Sequence, residues 1–189
     1  MKTIGLDEAT FAFVDVETTG LKPESDRVCE IAVLVATGKK VIREYNTLVN
    51  PGRPIPIECQ KINGISDKMV EFSPRFGDIA AQVAAAMEGT VAVCHNAPFD
   101  SGFLQAEFGR AGLQMPRIPF MDTLVLARKH FRFPSNNLGA ISRAIGIEPK
   151  GWHRASADVQ LTKLVFEHFL EEFKKNGLHT LNDLLILRS

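Results

Sequence analysis

The sequence predicts one α/β domain built on a mixed sheet with helices over its faces. Two features carry this expectation. Three runs rich in β-branched residues come first and follow one another over short connections, whereas the later apolar runs alternate with helix-period segments. A length of 189 residues, 45% of them apolar, suits one globular unit with a substantial core.

The first strand covers Phe11 to Val16. Val28 to Thr37 and Val41 to Val49 form a hairpin around the polar segment Gly38-Lys39-Lys40. Asn50-Pro51-Gly52-Arg53-Pro54 then interrupts regular structure, because proline lacks an amide donor and fixes φ. A helix is expected from a Ser73 cap, with Pro74 at its first position, to about Met87, and Gly89 ends it. Val91 to Cys94 is a short apolar strand, and His95-Asn96-Ala97-Pro98 turns it into a helix beginning near Phe99. The extended run Ile118 to Met121 leads through Asp122-Thr123 into Leu124 to His130, and a helix follows from about Leu138 to Ile145. The last long helix begins around Ala155 and places Leu161, Leu164, Val165 and Phe169 on one stripe. Asn176-Gly177 stops it like a left-handed C-cap, and Thr180 to Leu187 is a final amphipathic segment.

The charges balance, with 22 Lys and Arg against 22 Asp and Glu, so the chain lacks the basic excess that advertises indiscriminate nucleic-acid binding. Neutrality does not exclude that ligand, because acids gathered in a site offset basic patches elsewhere. Lys39, Lys40 and Arg43, and then Arg128, Lys129 and Arg132, are such patches, although the first reads better as a solvated face. Cys29, Cys59 and Cys94 are odd in number and widely spaced, which fits a reducing cytoplasm better than a disulfide framework or a zinc site. No run has signal-peptide character or approaches the ~18 apolar residues of a membrane span.

The most informative residues are Asp15 and Glu17, two acids where an apolar strand should end. Side chains alternate along an extended segment, so Phe11, Phe13, Asp15 and Glu17 share one face while Ala12, Val14 and Val16 occupy the other. Carboxylates crowded on a mostly apolar face repel each other, and hard divalent cations are the usual remedy. Asp100 in the first turn of one helix and Asp158 in the first turn of another also sit where elements meet loops, and ligands of α/β sheets gather outside the carboxyl ends of strands. Each of these two acids also has a plainer role, meeting the positive end of its helix dipole. His153 lies in a loop five positions before Asp158. A loop histidine is ordinarily solvated, yet beside a metal cluster its imidazole is a candidate base.

These residues resemble the DEDDh (DnaQ-like) 3′-to-5′ exonuclease family, which includes proofreading subunits of bacterial replicative DNA polymerases. Phe13-Val14-Asp15-Val16-Glu17-Thr18-Thr19-Gly20-Leu21 is similar to its first motif, and His95-Asn96-Ala97-Pro98-Phe99-Asp100 with Phe103-Leu104 to its second. His153-Arg154-Ala155 followed by Asp158 and Thr162 is similar to the third. Asn50-Pro51, Ile62-Asn63-Gly64-Ile65-Ser66 and Asp122-Thr123-Leu124 resemble further landmarks, so the match spans nearly the whole chain. Asn63 departs from the pattern, since many relatives carry histidine there.

The resemblance implies a ribonuclease-H-like fold over residues 1–189 as one exonuclease domain. It implies that Asp15, Glu17, Asp100 and Asp158 hold two Mg²⁺ or Mn²⁺ ions and that His153 is the general base. Thr18 and Thr19 would border the terminal nucleotide, offering backbone amides to its 3′ hydroxyl, with His95, Asn96 and Phe103 as further substrate contacts. For these three the plainer readings are backbone satisfaction at the strand end and core packing. Asp122 would support the site by hydrogen bonding. The expected ligand is the 3′ end of a single-stranded nucleic acid, DNA ahead of RNA, with a DNA polymerase as an expected partner and no membrane. The rival activity is a 3′-to-5′ exoribonuclease. A non-catalytic binding module of this fold would be expected to have lost ligands, and none is missing. A thiol hydrolase using Cys94 and His95 fails, because neighbouring strand residues point to opposite faces. The lack of a long C-terminal tail suggests a free-standing enzyme or an excised domain.

Overall fold

A computed structural model of the protein describes residues 3–148 and 154–188. Five strands form one sheet: β1 (Thr10–Thr18), β2 (Val28–Thr37), β3 (Lys40–Leu48), β4 (Val91–Cys94) and β5 (Phe120–Asp122). Their order is β3-β2-β1-β4-β5. The first three pair antiparallel, whereas β4 pairs parallel to β1 and β5 parallel to β4. The expected mixed sheet is therefore present, and the pairing changes from antiparallel to parallel at β1.

Eight helices complete the described residues. They are α1 (Ile57–Asn63), α2 (Asp67–Val70), α3 (Phe76–Met87), α4 (Ala97–Arg110), α5 (Thr123–His130), α6 (Leu138–Ala144), α7 (Ala155–Lys175) and α8 (Leu181–Ile186). Among the described residues no helix is long and apolar enough to cross a membrane.

The alternation along β1 divides the core as the sequence predicts. Phe11 and Phe13, with Ala32 and Leu34 from β2, pack beneath the α7 stripe of Val159, Val165, Phe166 and Phe169. Ala12, Val14 and Val16 face the other way, against Phe76, Ile79 and Val83 of α3 and Phe103, Leu104 and Phe108 of α4. The Phe166 ring meets Phe11 edge-on at 5.0 Å and Phe13 at 5.8 Å, which ties the long helix to the centre of the sheet. A smaller cluster of Cys29, Ile55, Ile65 and Val70 fixes α1 and α2 beside the end of β2.

Two local expectations are corrected. The helix expected from Ser73-Pro74 starts at Phe76, because the Asp78 carboxylate accepts the Arg75 amide at 2.9 Å while the Ser73 amide donates to Val70 in a preceding turn. The helix expected near Phe99 starts at Ala97. The short helices α1 and α2 had no apolar stripe to reveal them: Ile57 and Ile62 are each 61% exposed.

Phe166 supplies a test of the core. Replacing it with Ala removes both edge-on ring contacts and leaves a cavity under α7, at an expected cost of about 3–5 kcal/mol. Urea unfolding monitored by far-ultraviolet circular dichroism should show the midpoint falling at unchanged slope.

Candidate active site

The site forms where β1 outruns its parallel neighbour. The β1–β4 ladder covers only Phe11 to Phe13, paired with Val91 to Val93. Beyond it the backbone amide of Val16 donates not to a strand but to the Asp100 carboxylate, at 3.1 Å. Asp100 thus leans from the first turn of α4 onto β1 and is 3% exposed. On the antiparallel side, Glu17 stands opposite Glu30, and the register then slips by one residue between Glu17 and Thr18. That irregularity ends the regular ladder at the site, as bulges commonly do.

Asp15, Glu17 and Asp158 each offer a carboxylate oxygen within 4.8 Å of the others. The strand contributes two of the three from one face, and α7 brings Asp158 over that face. The electrostatic consequence is plain. Burial pushes the Asp15 carboxyl well above the usual range, and Asp100, Glu17, Asp158 and Glu30 push it further. Glu17 is pushed up to about 7, by burial first and then by Asp158 and Glu30, with Arg154 opposing. Asp100 is also raised, chiefly by burial, against the hydrogen bond from Val16. Converging hard oxygen donors that repel one another are the donor set a small divalent cation fits.

A groove of about 470 Å³ opens over these acids. Asp15 and Asp158 line it together with His95, Asn137, Leu138, Gly139, Arg143 and Leu161. Its outer wall is α6 and the turn before it. His95 ties that wall down: one ring nitrogen, Nε2, lies 3.0 Å from the Asn136 carbonyl and the other, Nδ1, lies 2.8 Å from the Thr123 hydroxyl. Since a carbonyl only accepts, Nε2 carries the proton in the neutral ring, and burial holds the imidazole below its ordinary pKa. Asn96 adopts φ of 81°, and its amide donates to Asp122, whose carboxylate also caps α5 through the Leu124 amide. Asp122 thus joins the turn after β4 to the first turn of α5.

Four of the five residues expected to carry chemistry are brought together: Asp15, Glu17, Asp100 and Asp158. His153 lies outside the described residues. The expected substrate contacts divide. His95 lines the groove, Asn96 is exposed next to it in the chain without lining the groove, and Phe103 is fully buried against Phe99, with ring centroids 4.9 Å apart, and has no exposed surface. Thr18 and Thr19 are buried, and their groups are engaged locally. The Thr18 hydroxyl donates to Gly20 at 2.6 Å, and the Thr19 amide, expected to be available to a ligand, donates to Arg27 at 2.9 Å. A Cβ at Gly20 would run into the Asp26 carboxylate, which would have to give up its hold on the Lys22 amide.

Glu30, Asn137 and Arg143 were not singled out from the sequence. Glu30 had a signal, an acid inside an otherwise apolar strand. The basic clusters have separate roles: Lys39 pairs with Glu171, Arg43 donates to Ala85, and Arg128 and Lys129 end α5, where cations suit the dipole. Cys94 is fully buried with its thiol pushed up by burial, Asp100 and Asp15, so it gives no nucleophile.

An acidic cluster at the switch point of a mixed sheet, under a groove, fits a class that handles phosphodiesters through divalent cations. Comparison with known proteins agrees with that class. Residues 12–166 match the Exonuclease family, RNase_T. The chain is 34% identical over 178 residues to the PolC-type DNA polymerase III of Thermotoga maritima, covering 94% of this chain but only 13% of that one. It is 33% identical over 179 residues to the DNA polymerase III subunit epsilon of Treponema pallidum, covering 93% of this chain and 83% of that one. The zinc-bound complex of Escherichia coli exonuclease I with single-stranded DNA has the same fold, with a TM-score of 0.76 at 22% identity over 84% of this chain and 40% of that one. The chain belongs to the Exonuclease family, and the resemblance to DnaQ-like 3′-to-5′ exonucleases drawn from its motifs is borne out.

The raised carboxyls set a pH dependence. Glu17 titrates at about 7 in the folded protein against an ordinary 4.5, and Asp15 and Asp100 are raised in the same sense. The folded state therefore binds more protons than the unfolded one across this window, and stability falls as pH rises through it. In excess chelator the melting temperature should drop between pH 5 and pH 8. Added MnCl₂ should raise it more at pH 8 than at pH 5, since cations and protons compete for the same oxygens. A flat profile in chelator together with no Mn²⁺ effect would remove the cluster as a cation site.

Proposed function

We propose that residues 1–189 act as a single metal-dependent 3′-to-5′ exonuclease domain that removes nucleotides from single-stranded or frayed DNA ends, in proofreading or repair. The observation that carries this reading is the convergence of Asp15, Glu17 and Asp158 within 4.8 Å, with Asp100 bonded to the backbone between the first two. Membership of the Exonuclease family supports it, as do relatives that are DNA polymerase III proteins. A polymerase is the partner this reading favours, and DNA is favoured over RNA on the same ground.

The four acids would hold two Mg²⁺ or Mn²⁺ ions, which when bound supply charge neutralisation at the phosphate and make a water easier to deprotonate. The carboxylates fix where that charge sits. His153 takes the proton of the attacking water. The water oxygen bonds to phosphorus as the bond from phosphorus to the 3′ oxygen of the preceding nucleotide breaks, that oxygen takes up a proton from solvent, and a 5′-mononucleotide leaves. Thr18, Thr19, His95 and Asn96 shape the surroundings of the terminal nucleotide, with His95 acting through the groove wall it anchors.

Two experiments test the proposal. End-labelled oligonucleotides should be shortened only from the 3′ end, with DNA decaying faster than RNA of the same sequence and circular single strands surviving. Asp15→Asn, Glu17→Gln, Asp100→Asn and Asp158→Asn should each remove nearly all hydrolysis from a folded protein. Prompt cutting of circles would sink the exonuclease reading, and faster loss of RNA would turn it toward an exoribonuclease.

The role of His153 has its own signature. At saturating metal the wild-type rate should rise with pH through an apparent pKa of roughly 6 to 7.5. His153→Ala should flatten that limb and slow the reaction by ~10²–10⁴-fold while leaving metal binding in place. An unchanged profile at near-normal rate would strip His153 of the base assignment.

A further inference from the structure

Glu30 is 1% exposed, in the middle of the sheet, directly opposite Glu17. Its carboxylate takes the guanidinium of Arg154 in a fork. Oε1 accepts from Nη2 at 2.7 Å, and Nε lies 3.2 Å from Oε1 and 3.1 Å from Oε2. Oε2 also accepts the backbone amide of Ala155 at 3.0 Å. Ala155 is the first residue of α7, so its amide has no acceptor within the helix. The residue just before a helix normally caps it by accepting the amide of the second or third helical residue with its own side chain, and Arg154 makes no such bond. The acceptor for the Ala155 amide comes from a strand residue 125 positions away. The Arg154 carbonyl in turn receives the amides of Ala157 at 2.9 Å and Asp158 at 3.1 Å. One chain of hydrogen bonds runs from Glu30 to the backbone of Asp158.

We propose that Glu30 and Arg154 are positioning residues of the active site, capping α7 from the sheet so that the Asp158 carboxylate stands opposite Asp15 and Glu17. The role rests on the metal-dependent reading above and adds to it the pair that sets the site's geometry. The apolar stripe of α7 holds the helix to the sheet, but burial of apolar surface is non-directional. A planar guanidinium fork is directional, and so is the bond to Ala155. Functional groups need placement to within about half an ångström, and the fork and the cap are directional contacts that act at the first turn of α7. Helix stability alone would not select this arrangement. A serine or asparagine would cap the helix without charge, whereas Glu30 adds a carboxylate beside a cluster that already repels it, and raises both Asp15 and Glu17.

The test uses Arg154→Ala, Arg154→Lys and Glu30→Gln, with Phe166→Leu as a variant destabilised in the core only. Mn²⁺ binding to the metal-free protein is measured by titration calorimetry without DNA, and kcat and KM are measured on 3′-labelled single-stranded DNA. Loss of the positioning pair should weaken Mn²⁺ binding by about 10-fold or more and lower kcat by about 10- to 100-fold, with KM changed less than about threefold. Arg154→Lys keeps the charge without the fork and should recover only part. Added guanidinium should restore part of the activity of Arg154→Ala. Phe166→Leu should lose stability without moving the Mn²⁺ affinity. An Arg154→Ala protein with wild-type Mn²⁺ affinity and kcat, or losses equalled by Phe166→Leu, would overturn the positioning role. Should Arg154→Ala not fold, the same readings on Arg154→Lys and Glu30→Gln decide the matter. Wild-type protein that binds no Mn²⁺ would overturn the metal-site reading itself, and the positioning role with it.

Discussion

Mutual repulsion among carboxylates is the constraint around which the fold is arranged. Asp15 and Glu17 share a face of β1, Asp158 is brought over that face, and Asp100 presses in from the neighbouring helix. Left to themselves these groups would part, because each raises the proton affinity of its neighbours in a site already short of water. They stay because each acid is carried by an element whose position is decided elsewhere. The phenylalanines of β1 lock onto α7, and Phe103, Leu104 and Phe108 lock α4 onto the opposite face. Hydrophobic burial on both sides of one strand thus opposes the repulsion at its end.

Two buried glutamates refine that arrangement, and both work at the start of β2. Glu107 reaches from α4 to the Val28 amide at 3.1 Å and takes Arg27 in a fork, with contacts of 2.7 and 2.9 Å. Glu30 does the equivalent for α7 on the other face. The helices bearing Asp100 and Asp158 are therefore referenced to the same few residues of one strand. Breaking a buried pair of this kind by removing one partner is costly, since the other charge is left uncompensated.

Much of this was legible in the sequence. The alternation in Phe11 to Glu17 divides the core as expected, and the β-branched run Val28 to Thr37 matches β2 at both ends. The four acids could be grouped because each sits at the junction of a regular element and a loop. What escaped reading had no periodic signal. The helices α1 and α2 bury too little to show a stripe, and Ser73-Pro74 looked like a helix start only because the competing bond between Asp78 and Arg75 is local to the fold. Phe103 shows the limit of motif reading: a position next to functional residues in the chain turned inward. Glu30 was visible as an acid among apolar neighbours, but its partners lie at the far end of the chain, where no local pattern points back to it.

The distances in sequence have a consequence for how the molecule comes into being. Asp15 is near one end of the chain and Asp158 near the other, and the contact between them closes only when β1 and α7 are both in place. Non-local pairings of this kind form late, after the loops between them have closed. A nascent or truncated chain can make the hairpin and its first helices without acquiring the cluster. Assembly of the carboxylate cluster is thereby confined to the folded domain, in which both elements have found the sheet.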